Sequence, residues 1–247
     1  MQRYKLTIEY DGEPYYGWQR QESHPSVQEA LETAASKLDG APVTVQGAGR
    51  TDRGVHATGQ VAHMDLTKPR PIEKVADALN AHLRPHRVAV LKAEEVDAEF
   101  HARFHAIRRA YRYVIINRRA ALTFDRGQAW RIPYKLDHEA MHRAAQTLIG
   151  VHDFSTFRHA DCQAKSPVKT LDRLDVTRYG EGIEVTVEAR SFLHSQVRSF
   201  VGSLVEVGRG SQNEDWIAEI LEARDRKACG PVAPPDGLFL ERVEYDA

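Results

Sequence analysis

The sequence is short of several things that would narrow its function quickly. It has two cysteines in 247 residues, Cys162 and Cys229, far apart and without CxxC spacing. That pattern argues against both a disulfide framework and a zinc site, and it suits a reducing compartment. No apolar stretch nears the ~18 residues that mark a membrane-spanning helix. The opening M-Q-R-Y-K-L-T-I-E-Y has no apolar core of a secretory signal. Excess charge of one sign is missing too, since 34 Lys and Arg face 35 Asp and Glu for a net −1. Twelve histidines are present, yet none falls in an H-E-x-x-H or similar ligand spacing, so no metal site is expected. These absences predict a cytoplasmic protein with no membrane attachment.

What is present is ordinary for a globular chain: 42% apolar and 28% charged residues, with length for one large domain or two of usual size. Tyr4, Leu6, Ile8 and Tyr10 alternate as in a half-buried strand. Ser26 and Glu29 have capping-box spacing for a helix running to about Leu38, where Asp39-Gly40 stops it. Strands near 43–48 and 58–66, a helix over Ile72 to Leu83 and a strand over Arg87 to Val96 complete a β-α-β-β-α-β order. After a linker at 100–106 the pattern restarts. A strand from Arg108 is followed by a helix from about Asp137 to Ile149, and strands near 169–178 and 182–191 are joined by a hairpin turn. A helix over Ser195 to Val207, a short helix to about Ala223 and a last strand over Gly237 to Tyr245 follow. Two such orders predict an α+β protein of two ferredoxin-like (RRM-like) βαββαβ units with antiparallel sheets. The expected domains are 1–104 and 105–247, with a ligand cleft between two similar halves.

One loop stands out. Gly47 to Ala57 reads G-A-G-R-T-D-R-G-V-H-A and sets the carboxylate of Asp52 between Arg50 and Arg53. The sixth position from Gly47 is Asp52, so this is no dinucleotide fingerprint, and no Gly-Lys-Ser/Thr follows to make a P-loop. By itself, a lone Asp in a Gly-rich loop is also a common turn former. The second half offers Tyr111 and Tyr113, which alternate onto one strand face and so suit either a core or base stacking. Arg198 sits near the start of an apolar helix, where the helix dipole disfavours a cation. It reads either as a snorkelling side chain or as the partner of a carboxylate. From His101 to Lys135 there are nine Lys and Arg against one acid, Asp125. This is the charge footprint of a phosphate-binding face or of a solvated strand.

The run G-R-T-D-R-G-V-H-A (Gly49 to Ala57) resembles the catalytic loop of the TruA family of tRNA pseudouridine synthases. Further stretches match that family in its order: Y-D-G-x-x-Y-x-G-W-Q-x-Q (10–21), R-x-Y-x-Y (109–113), H-D-F-S-T-F-R (152–158), S-F-L-H-S-Q-V-R-S-F-V-G-S-L (191–204) and G-L-F-L (237–240). Gln196 and Ser199 depart from it, standing where the family more often has Met and Asn.

The resemblance implies Asp52 as the essential catalytic residue, Tyr111 against the target base, Arg198 paired with the catalytic Asp and Leu238 lining the base pocket. It also implies a central cleft between two domains, action on uridines 38 to 40 of the tRNA anticodon stem-loop, and a homodimer with one tRNA spanning both subunits. The chemistry asks for no cofactor, because turning a base from N1 to C5 linkage involves no redox step. It does need a carboxylate that stays ionised, which a guanidinium favours where desolvation opposes it. Arg50 is spaced to hold the RNA backbone or the flipped nucleotide. Two other readings compete: a non-catalytic protein of two RRM-like domains, although no strand carries an RNP1 pattern, and a glycoside hydrolase pairing Asp52 with Asp11.

Overall fold

The computed structural model describes residues 1–246. The chain forms two compact units. One is Met1–Ile107 joined by the segment from Phe239 onward, and the other is Arg108–Leu238. Each has a mostly antiparallel sheet with helices, a mixed α/β composition.

The first unit contains β1 (Gln2–Tyr10), α1 (Val27–Asp39), β2 (Val45–Gly47), β3 (His56–Leu66), α2 (Ile72–Leu83) and β4 (Val88–Val96). Its strands run in the order β4-β1-β3, with β2 antiparallel along the distal part of β3. Tyr4, Leu6, Ile8 and Tyr10 of β1 all face the core and are 0–4% exposed. Helix α1 starts where Ser26 Oγ accepts from the Glu29 amide at 3.2 Å, and it ends at Gly40 with φ 80°. The last strand of the chain returns to this unit, where Phe239 and Leu240 pair in parallel with His56 and Ala57.

The second face of this sheet is covered by the linker. Arg3, Lys5 and Thr7 pair with Asp65, His63 and Val61 on that face. Arg3 binds Asp65 at 2.7 Å and donates to the Phe100 carbonyl at 2.9 Å. The Ala102 amide donates to His63 Nδ1 at 3.2 Å, and Tyr245 closes the layer by donating to the Ala102 carbonyl at 2.8 Å. The linker is therefore a structured cover over small side chains, Ala48, Val61 and Ala102.

The second unit holds β5 (Ala106–Ile116), β6 (Trp130–Arg131), α3 (His138–Gln146), β7 (Gly150–Asp153), β8 (Val168–Tyr179), β9 (Gly182–Ala189), α4 (Gln196–Gly208) and α5 (Trp216–Ala223). The chain then runs into β10 (Leu238–Tyr245). Its sheet order is β5-β9-β8-β7, all antiparallel, with β6 a short parallel addition to β5. Helix α3 stops at Gln146 rather than near Ile149, because Gly150 takes φ 105° and opens β7, a strand the periodicity does not announce. The stretch H-D-F-S-T-F-R turns out to build core. Phe154 and Phe157 are fully buried and meet Phe200 of α4 edge-on at 5.4 and 4.9 Å, while Thr156 Oγ1 donates to the Ile220 carbonyl.

The linker cover generates a pH prediction. Burial, reinforced by nearby His101, Arg3 and His105, pulls the pKa of His63 from 6.5 down to about 4, Asp65 opposing only in part. As pH falls through that window the unfolded chain takes up this proton before the folded one, so stability declines between about 6.5 and 4. His63→Asn keeps an acceptor for the Ala102 amide but cannot titrate. Its melting temperature should fall less between pH 7 and pH 5 than that of the wild type, and an equal fall would contradict the assignment.

Candidate active site

The Gly-rich loop at 47–57 is held by the segment at 10–21, loop against loop, through backbone groups. Trp18 N donates to the Thr51 carbonyl at 3.1 Å and Gly54 N to the Tyr15 carbonyl at 3.2 Å. Contact is close enough to fix residue identity. A Cβ at Gly17, whose φ is 96°, would lie 2.5 Å from the Thr51 oxygen, and one at Gly12 would collide with the Val55 carbonyl. Close approach requires glycine at both positions, and at Gly17 the positive φ requires it as well.

Asp52 is half-buried within this clamp and Arg50 is exposed. The residues flanking Arg50 are tied to a buried polar network. Tyr10 OH and Thr51 Oγ1 are 2.8 Å apart, and Gln60 Nε2 donates to the Gly49 carbonyl at 2.9 Å and approaches Tyr10 OH at 3.5 Å. Burial pushes the Tyr10 phenol up to about 12, with the bonds from Thr51 and Gln60 opposing, so it is a neutral hydroxyl at working pH. Tyr10, Thr51 and Gln60 were not singled out from sequence. A signal exists for Gln60, which shares its strand parity with the buried Ala62, Met64 and Leu66 and so is a polar residue at a core position.

Asp11, the acid considered as a second carboxylate, is committed elsewhere. It accepts from the Glu13 amide at 3.0 Å and from Arg87 at 2.7 Å. Burial pulls its pKa up, but those bonds and the nearby His56 outweigh it and leave the carboxyl below its usual range. A glycosidase acid needs the opposite shift.

In the second unit Arg198 and Tyr113 gather around the Pro-rich segment before β10. Arg198 is the third residue of α4 and half-buried. Its Nε donates to the Ala233 carbonyl at 2.8 Å, while the Ala233 amide donates to the Arg198 carbonyl at 3.1 Å. Tyr113 donates to the next carbonyl, Pro234, at 2.8 Å, and Gly237, just before the buried Leu238, packs on the Tyr113 ring. Burial raises the Tyr113 pKa well above its ordinary value, with Arg198 pulling it down and Asp236 up. Tyr113 is thus a core strut. Tyr111, two residues earlier on the same face, is 8% exposed and meets Phe192 edge-on at 5.2 Å. Helix α4 itself springs from Ser195 at φ 58°, an uncommon conformation for a residue with a Cβ. Gln196 accepts from the Leu193 amide at 2.7 Å to finish the turn.

The basic stretch at 101–135 is not one uniform cationic face. Arg108, Arg112 and Arg118 lie 3.9, 3.8 and 3.1 Å from Glu188, Glu184 and Glu181, and Arg109 is buried against the Arg190 carbonyl. Arg119, Arg126, Arg131 and Lys135 remain exposed. Among the described residues no three His, Cys, Asp or Glu side chains gather as a metal site, and no helix is long and apolar enough to cross a membrane.

Comparison with known proteins matches the chain to named relatives. The family model described as tRNA pseudouridine synthase matches residues 6–105 and 144–246. A tRNA pseudouridine synthase A from Hyphomonas neptunium is 66% identical over 247 residues, all of both chains. Its counterpart in Maricaulis maris is 62% identical over 245 residues, 99% of this chain and 98% of its own.

The clamp predicts a local loss. Tyr10→Phe leaves Thr51 Oγ1 buried without its partner, at a cost of about 1–2 kcal/mol. Urea unfolding should show that loss, and amide exchange should quicken at Gly54 and Val55; unchanged exchange there would separate the network from the loop.

Proposed function

Since the chain belongs to the tRNA pseudouridine synthase family and is an isomerase that forms pseudouridine in tRNA, we propose that it acts on uridines 38 to 40 of the anticodon stem-loop with Asp52 as its essential residue. The observation that carries this reading is the loop itself. A carboxylate stands between two arginines in a backbone clamped on both sides by the segment at 10–21, within a chain matched over its whole length by a pseudouridine synthase.

In the proposed reaction the N1–C1′ bond breaks, the base turns, and C5 joins C1′, the C5 hydrogen leaving as a proton while N1 takes one up. Asp52 acts as nucleophile or as the counter-charge to C1′. Arg198 is its guanidinium partner and keeps it ionised as water is excluded. Tyr111 meets the extruded base, Leu238 lines the base pocket and Arg50 holds the RNA backbone or the flipped nucleotide. Isomerisation conserves the atoms and oxidation level of the nucleoside, so this scheme uses no cofactor. The exposed Arg119, Arg126 and Lys135 suit sequence-independent phosphate contacts.

The same reading takes both halves, 1–104 and 105–247, as ferredoxin-like units. Support in the first is its β-α-β-β-α-β succession with strand order β4-β1-β3-β2. It also includes a homodimer that shares one tRNA, and a cytoplasmic location alongside the substrate.

Two measurements test it. With tRNA tritiated at uridine C5, wild type should release tritium to water. Asp52→Asn should release at least about a thousandfold less while binding tRNA as tightly. Mapping the product should place pseudouridine within 38 to 40. Release by Asp52→Asn at the wild-type rate would sink the catalytic assignment, and modification elsewhere would sink the site.

A further inference from the structure

Beside Asp52 the clamp builds a second feature that the reaction scheme leaves unused. The Arg53 guanidinium carbon lies 4.0 Å from the centroid of the Tyr16 ring, and the His24 ring lies 3.9 Å from that same centroid, tilted by 33°. Two planar groups cannot both sit about 4 Å above one face of a phenol, so Arg53 and His24 occupy opposite faces. The result is a three-layer column, Arg53 on Tyr16 on His24.

The column is held from beneath. Tyr15 accepts from Gly54 N and Gly17 abuts the Thr51 carbonyl, which brings Tyr16 under Arg53. Tyr16 is fixed further by its amide bond to the Pro25 carbonyl at 2.9 Å and by Gln21 Nε2 on its own carbonyl at 3.0 Å. Ser23 Oγ orients His24 through Nδ1 at 2.9 Å. The middle ring is half-buried, while Arg53 and His24 are exposed. The Arg53 guanidinium therefore backs onto an aromatic while the residue stays open to solvent.

Guanidinium planes and aromatic rings are what proteins use to stack unpaired bases. Arg53 follows Asp52 directly, so their Cα atoms are ~3.8 Å apart. A nucleotide adjacent to the one undergoing reaction would lie within reach. We propose that the Arg53–Tyr16–His24 column is a stacking platform for the unpaired base next to the target uridine, and that it helps choose which uridine is presented to Asp52. This rests on the function proposed above.

The test separates plane from charge. Arg53→Ala removes both, whereas Arg53→Lys keeps the charge and loses the plane. Steady-state isomerisation of an unmodified tRNA transcript should show KM raised about tenfold for both variants, in the range base stacking supports. On transcripts with an abasic nucleotide on the 5′ or the 3′ side of the converted uridine, one of the two should abolish the difference between wild type and Arg53→Ala. Full rescue by Arg53→Lys would make this a phosphate contact and overturn the platform. So would a wild-type KM for Arg53→Ala, or a difference that survives on both abasic transcripts. Failure of wild type to isomerise any uridine in intact tRNA would instead count against the function itself, and is read in the same assay.

Discussion

The site depends on one close approach, that of the segment at 10–21 to the loop at 47–57. Two amide-to-carbonyl bonds and two glycines without room for a side chain bring these backbones together. Backbone contacts of this kind have little freedom to drift, because neither partner has rotamers. In the role proposed for Asp52, a carboxylate gains from such rigidity, since small misplacements are costly in rate. The buried Tyr10–Thr51–Gln60 network adds a second restraint from below, and its hydroxyl stays protonated because burial outweighs the bonds that favour ionisation.

A similar device recurs in the second unit with different parts. There the Pro-rich segment is the fixed element, and Arg198 and Tyr113 are each tied to one of its carbonyls. Proline contributes no amide donor and restricts its own φ, so carbonyls at 233 and 234 are well-defined acceptors. Holding Arg198 by Nε orients the planar guanidinium, which is how an arginine becomes a directional charge rather than a diffuse one.

Much of this was legible in the sequence, and the misses have physical reasons. Alternation in β1, the Ser26 cap and the Gly40 stop, and the stripe of α4 all appear close to where periodicity put them, because each is decided by local propensity and one buried face. Strand β7 escaped since four residues beside a glycine carry no period. The roles proposed for Asp52, Tyr111 and Arg198 rest on motif resemblance, while the Tyr10–Gln60 network escapes a sequence reading because a polar group at a core position shows its purpose only once its partner is known. The basic stretch was misleading as a block. Glutamates 181, 184 and 188 lie far along the chain from the arginines they neutralise, and cross-strand register alone brings them together.

The return of β10 to the first unit sets a timetable for synthesis. His56 and Ala57, at the end of the Asp52 loop, lack their strand partners Phe239 and Leu240 until the whole second unit, Arg108–Leu238, has been made. At ~5–20 residues per second, the intervening unit takes on the order of ten seconds to emerge. Throughout that interval the nascent first unit has an open sheet edge beside its most demanding loop. Completion of the first unit therefore waits on the making of the second, and a product truncated before Phe239 leaves that edge unpaired.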